Sequence, residues 1–166
     1  INALFESQQR IKSMVLIHEK LYQSNDLSNI NYADYVSSLT NTLFRSYSLD
    51  SSRINLKMNI GEIRLNTDLA IYLGLIINEL VSNSIKHAFP GKLKGTIWID
   101  FYADDSGKFT LIIKDNGIGV PVGFGLTEPN TLGMQLVKTL VEQIDGNIVI
   151  SSDNGAKFEI TFYIRK

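Results

Sequence analysis

The sequence predicts an α+β protein, a two-layer α/β sandwich. Helices cover one face of a mixed, mostly antiparallel sheet, and a further helix precedes this unit. Three observations lead there. Short segments at 54–60, 96–103, 109–114, 147–151 and 157–165 alternate apolar and polar residues, as half-buried strands do. The last four fall into two hairpin-like pairs. The helical patterns are few and long, and they suit packing on one side of such a sheet.

Residues 1–24 carry Leu4, Ile11, Met14, Val15, Ile17, His18, Leu21 and Tyr22 at broadly helical spacing, with no Gly or Pro. One helix cannot bury its own stripe, so this segment needs a partner surface, as in a helical hairpin or dimer bundle. Residues 24–31 have turn chemistry. A second helix comes next, with Tyr35, Val36, Leu39, Leu43 and Phe44 inward. Ile54 to Ile60 reads as a strand, and Gly61-Glu62 as a turn into a short extended segment. Asn66 to Pro90 reads as one long helix: Asn66 or Thr67 caps its start, Asp68 suits the dipole, and Pro90-Gly91 stops it. Two strands, Thr96 to Ala103 and Phe109 to Lys114, form a hairpin around a turn at 103–108. A loop with glycines at 117, 119, 123 and 125 and prolines at 121 and 129 leads to a helix from Thr131 to Ile144. Strands at 147–151 and 157–165 close the chain. The pattern divides the chain into 1–27 and 28–166.

Composition sets bounds. The 166 residues are 44% hydrophobic and 20% charged, enough for one domain with a real core. A net charge of −1 gives no general attraction for nucleic acid or an anionic membrane. Without cysteine there is no disulfide, thiol nucleophile or Cys-based metal site. No apolar run reaches the ~18 residues of a membrane span and no signal peptide is visible, so a cytoplasmic location and no membrane contact are expected. The chain starts at Ile1 rather than Met, which predicts a fragment of a longer protein.

Two stretches carry candidate chemistry. On the long helix, Glu79, Asn83 and His87 stand at i, i+4 and i+8, with Lys86 three residues after Asn83. A carboxylate, an amide, an amine and an imidazole therefore share one stripe beside an apolar face. Taken on the helix alone, a solvated face is the better explanation of the stripe, unless a second element brings a ligand to it. Asp115-Asn116-Gly117 supplies that element. Asp-Asn-Gly alone suits a tight hairpin turn, but the glycine-rich continuation is no return strand. Asp115 ends a strand with its carboxylate available to a pocket, and Gly117 and Gly119 allow close backbone approach. The helix that opens at Thr131, Leu132 and Gly133 offers free N–H groups suited to phosphate.

Taken together, ELVSNSIKHAF (79–89), DNGIG (115–119), TLGMQLV (131–137) and DNGAKFEI (153–160) resemble, in order and spacing, the ATP-binding catalytic domain of sensor histidine kinases. These belong with gyrase, Hsp90 and MutL to the GHKL superfamily, which shares the Bergerat fold. The resemblance spans roughly residues 50 to 166. Residues 10–24 are similar to the second helix of the dimerisation and histidine-phosphotransfer region of the second HisKA class, close to the HWE kinases.

The resemblance implies ATP and Mg²⁺ as ligands. It implies that Asp115 accepts the adenine 6-amino group while Gly119 gives the base room, with Gly117 also at the cofactor. Asn83 would ligate the cation, and Glu79 would orient or polarise the attacking group. Lys86 and His87 would face the phosphates, and Leu132, Gly133 and Met134 would bring backbone N–H groups to them. Residues 120–131 would form a short lid. The implied partners are a response regulator, which takes the phosphoryl group, and a second copy of the chain through the helical region. His18 lacks the motif of a phosphoacceptor in this class, so the acceptor is expected upstream, and 1–166 alone is not expected to autophosphorylate. The chain departs at Gly155-Ala156, where the family often has Gly-Thr, because Ala156 has no hydroxyl to help hold adenine. The rival readings are an anti-sigma-factor serine kinase of the same superfamily, a nucleotide- or partner-binding module without transfer, and a purely structural sandwich.

Overall fold

The computed structural model describes residues 30–47, 53–91, 94–121, 124 and 131–164, together with helical positions Leu4, Ser7, Gln8, Ile11, Lys12, Val15 and Glu19. Met14, Ile17, His18, Leu21, Tyr22 and most of the expected lid lie outside the described residues. Leu4, Ile11 and Val15 are helical and 69%, 59% and 48% exposed, so the apolar stripe read from the sequence is not covered by the described residues.

A two-residue pair joins β1 (Ile30–Asn31) to β3 (Arg64–Leu65). The main sheet has five strands: β2 (Ile54–Ile60), β4 (Gly95–Ala103), β5 (Lys108–Asp115), β6 (Asn147–Ser151) and β7 (Lys157–Tyr163). Their spatial order is β2-β4-β5-β7-β6. The β4/β5, β5/β7 and β6/β7 pairs are antiparallel, and β2 runs parallel to β4 with Ile54 opposite Gly95. Alternation places Ile97, Ile99, Phe101, Leu111, Ile113, Phe158, Ile160 and Phe162 on one buried face.

Three helices cover that face: α1 (Tyr32–Ser46), α2 (Thr67–Asn83) and α3 (Leu132–Gln143). Each starts at a side-chain cap, where Asn31, Asn66 and Thr131 accept from the backbone N–H of Asp34, Leu69 and Met134 respectively. The central helix, α2, packs against both of the others. Its Leu73, Ile76, Ile77, Leu80 and Val81 are fully buried, each such side chain contributing about 1.5–3 kcal/mol of transfer free energy. Gly74 lets α1 approach, since a Cβ there would lie 2.1 Å from the Tyr35 hydroxyl. The segment Thr67–Ala88 is long and apolar enough to span a membrane by composition, but 78% of its apolar window is buried inside the fold, as befits a core helix.

The long helix is not α-helical to its end. Ser84–Ala88 form one turn of π-helix. Arg53 clamps the residues just beyond that turn: its Nη2 donates to the Phe89 carbonyl at 2.7 Å and to the Gly91 carbonyl. Such single π turns often mark functional sites.

Candidate functional site

The site forms where the π turn meets the end of β5. Asp115 is the last residue of β5 and continues the helix-facing side of Leu111 and Ile113. Its backbone N–H still pairs with the Ala156 carbonyl at 2.9 Å, so the strand holds it to its final residue. The side chain is 6% exposed. Oδ1 accepts from the backbone N–H of Gly117 at 3.0 Å and of Ala156 at 3.2 Å. Oδ2 accepts from the Ser84 hydroxyl at 2.8 Å. Three donors from three elements thus fix one carboxylate.

Past Asp115 the chain makes no hairpin. Asn116 stays beside β4, accepting from Thr96 N–H at 2.7 Å and donating its own N–H to the Thr96 carbonyl at 3.3 Å. The loop then folds onto the π turn, where Ile118 N–H donates to the Ala88 carbonyl at 2.9 Å. Contact is so close that a Cβ at Gly117 would lie 2.2 Å from that carbonyl oxygen. Gly119 adopts φ +78°, and a Cβ there would lie 2.3 Å from the Ser152 hydroxyl, which accepts from Val120 N–H at 3.1 Å.

These contacts enclose a cavity of about 510 Å³. Its walls are mainly apolar, with Ala88, Ile118, Val120, Phe124, Met134 and Phe158 prominent, and Phe124 meets Phe158 edge-on with centroids 6.4 Å apart. The polar lining comes from Asp115, Ser84, Asn83, His87 and Thr131. A largely apolar group carrying an amine matches an apolar cavity with a carboxylate in its lining.

Of the residues singled out in the sequence, Asn83, His87, Asp115, Gly119 and Met134 line this cavity, and Gly117 backs it. Asn83 is half-buried, and its Nδ2 lies 3.5 Å from Met134 Sδ. His87 is exposed. Glu79 sits one turn earlier, 6% exposed and outside the cavity lining, accepting from Asn78 Nδ2 at 3.3 Å. Lys86 is also outside the lining; its Nζ stands 6.0 Å from the centroid of the Tyr47 ring. Leu132 is 65% exposed and Gly133 buried, both in the first turn of α3. In that turn Thr131 Oγ1 already takes the Met134 N–H at 3.3 Å, which leaves the first two N–H groups without an intrahelical partner. Among the described residues no group of three or more His, Asp or Glu side chains forms a metal cage. Sequence reasoning missed Ser84 and Ser152. Nothing in the local pattern marks either, because each acts on a residue more than thirty positions away.

Residues 68–166 match the family described as histidine kinase-, DNA gyrase B- and HSP90-like ATPase. The chain belongs to this family. Residues 1–47 match a second family, described as histidine kinase. The sensor histidine kinase PdtaS of Mycobacterium tuberculosis is 35% identical over 150 residues, covering 88% of this chain and 29% of that protein. The PdtaS of Mycolicibacterium smegmatis is 37% identical over the same shares. The chain therefore spans less than a third of these relatives' length. Among solved structures, the histidine kinase domain of the Erythrobacter litoralis blue-light activated histidine kinase superposes with a TM-score of 0.84. It shares 16% identity, covering 95% of this chain and 74% of that one. The mycobacterial sensor histidine kinase MprB gives a TM-score of 0.61 at 18% identity over 82% of this chain and 97% of that one. At such identities the likeness is one of fold.

Proposed function

We propose that this chain is the ATP-binding catalytic part of a two-component sensor histidine kinase. The observation that carries the reading is a buried carboxylate, held by three donors, at the end of an apolar cavity in a chain of the ATPase family. In this reading adenine enters the cavity between Ile118 and the Phe158 side, and its 6-amino group donates to Asp115. The triphosphate runs toward the π turn and the start of α3. There the N–H groups of Leu132 and Gly133 face it, beside the capped Met134, and the positive helix end favours its charge. His87 lies at the rim of the cavity, and Lys86 reaches the phosphates by leaving the Tyr47 ring.

Mg²⁺ fits the donor set as a phosphate-held ion rather than a protein-caged one. It prefers oxygen ligands, keeps several waters and takes few protein groups. Asn83 supplies an amide oxygen in the cavity, with its Nδ2 turned toward Met134. When bound, the cation neutralises charge on the transferring phosphoryl group. Glu79, one turn before Asn83, polarises the attacking imidazole. The protein's contribution is then positioning and charge neutralisation, which is most of what phosphoryl transfer requires.

The acceptor would be a His outside these 166 residues, and a response-regulator Asp would take the phosphoryl group from it. The exposed Leu4, Ile11 and Val15 support helical pairing with a second copy. Use of ATP fits a cytoplasmic location for this part. The test is incubation of the full-length protein with γ-labelled ATP and Mg²⁺. Acid-labile, alkali-stable label on the protein, absent from Asn83→Ala, is the expected result. Label that survives Asn83→Ala, or no label on the wild type, removes the reading.

A further inference from the structure

The polar end of the cavity holds more than Asp115. Ser84 is 5% exposed, lies in the π turn and lines the cavity beside that carboxylate. An ionised carboxylate has no hydrogen to give, so the 2.8 Å bond runs from the Ser84 hydroxyl to Asp115 Oδ2. The carboxylate has about four acceptor positions. Gly117 and Ala156 use both of those on Oδ1, and Ser84 uses one on Oδ2. One acceptor position is left, on Oδ2. The Ser84 hydrogen is committed, so toward the cavity its oxygen offers only lone pairs. Ala156 contributes a backbone N–H that points at Oδ1, and no other hydroxyl is bonded to the carboxylate among the described residues. Among the described residues, this end of the cavity therefore presents two adjacent acceptors and no donor.

We propose that Ser84 is a specificity-determining residue that, with Asp115, selects a nucleotide base carrying an exocyclic amine and rejects one carrying an oxo group at the same place. This rests on the ATP reading above. An amine meets an acceptor on each oxygen. An oxo group would face two acceptors, with no donor among the described residues bonded there to satisfy it. Turning the Ser84 hydroxyl to serve the oxo group would take its hydrogen off Asp115 Oδ2 and leave that oxygen opposed to the newcomer.

The test compares three nucleotides by calorimetric titration into wild type and Ser84→Ala. They are ATP, inosine triphosphate (6-oxo) and purine riboside triphosphate, which has hydrogen at position 6. Loss of one hydrogen bond to the amine should weaken ATP by about 2- to 12-fold. Purine riboside triphosphate should bind both proteins equally, and the preference for ATP over inosine triphosphate should narrow. Thermal melts check that Ser84→Ala is folded, which the deletion of one oxygen permits. Equal losses for ATP and purine riboside triphosphate would make Ser84 a structural support only and overturn the inference. So would an unchanged ratio of ATP to inosine triphosphate. If wild type binds none of the three, it is the ATP reading itself that fails.

Discussion

Gly117→Ala probes the junction on which the site depends. The new methyl would lie 2.2 Å from the Ala88 carbonyl oxygen and 2.5 Å from the Ala88 Cβ, far inside contact distance. Ala88 cannot simply retreat. It is 5% exposed, its carbonyl accepts from Ile118, and Arg53 clamps the chain just beyond it. The loop must move instead, by about 1 Å, and two hydrogen bonds stretch. One is Gly117 N–H to the Asp115 carboxylate, about 1.5–3 kcal/mol as a bond to a charged group, and the other is Ile118 N–H to Ala88, about 0.5–1.5 kcal/mol. The loss is therefore about 2–4.5 kcal/mol, at or above the usual cost of overpacking. Urea unfolding of wild type, Gly117→Ala and Gly61→Ala measures it. Gly61 is the control, because a Cβ there meets its nearest neighbour at 3.7 Å, an ordinary contact. ATP titration should show Gly117→Ala weakened by more than tenfold. A Gly117→Ala protein within about 0.5 kcal/mol of wild type, the range of surface mutations, and binding ATP normally would refute the claim that the loop is seated on the π turn.

Three further outcomes rest on the packing. Burial raises the Tyr35 hydroxyl above its ordinary 10.0, and burial together with the nearby Tyr35 does the same for Tyr32. A raised folded-state value favours the protonated form. Stability should hold below about pH 10 and fall as pH rises beyond it, by up to about 1.4 kcal/mol per unit for each tyrosine; Tyr35→Phe should lessen the slope, and an unchanged slope would count against it. Arg53→Gln should cost roughly 1.5–3 kcal/mol in urea unfolding by removing charged donors from the Phe89 and Gly91 carbonyls, whereas a loss under about 0.5 kcal/mol would show that the clamp is idle. The Ser82 hydroxyl is buried without a partner among the described residues, so Ser82→Ala should raise stability by about 1 kcal/mol, and a loss of stability would reveal a bond to that hydroxyl.

Much of this was legible because the relevant physics is local. Alternation marks half-buried strands, so the five strands of the main sheet could be read before their partners were known, although not which face of 96–103 is the core. Side-chain chemistry announces the helix starts: of Asn66 and Thr67 it is Asn66 that caps, and Thr131 caps the later helix. Asp115 was findable because a glycine-rich loop after a strand is unusual as a hairpin. Alternation does not reveal which strands pair, and the parallel β2/β4 register stayed hidden. Two-residue strands such as Ile30–Asn31 have no period to detect, so that stretch read as a turn. The π turn left no mark either. Ser84–Ala88 fits a regular helix by composition, and its contact with the loop from β5 is with residues about thirty positions away. Ser84 was missed for that reason. Lys86 shared the helical stripe with Asn83 in sequence, yet its long side chain crosses to the Tyr47 ring.

Titration of ATP into the wild-type protein and Asp115→Asn, with and without Mg²⁺, goes most directly to the proposal that this cavity binds adenine. The substitution keeps the shape and removes the charge that strengthens the bond to the 6-amino group. A charge-assisted hydrogen bond is worth about 1.5–3 kcal/mol, so Asp115→Asn should bind ATP roughly 10- to 150-fold more weakly. Absence of binding to wild type at millimolar ATP, or equal affinity in the two proteins, would contradict it.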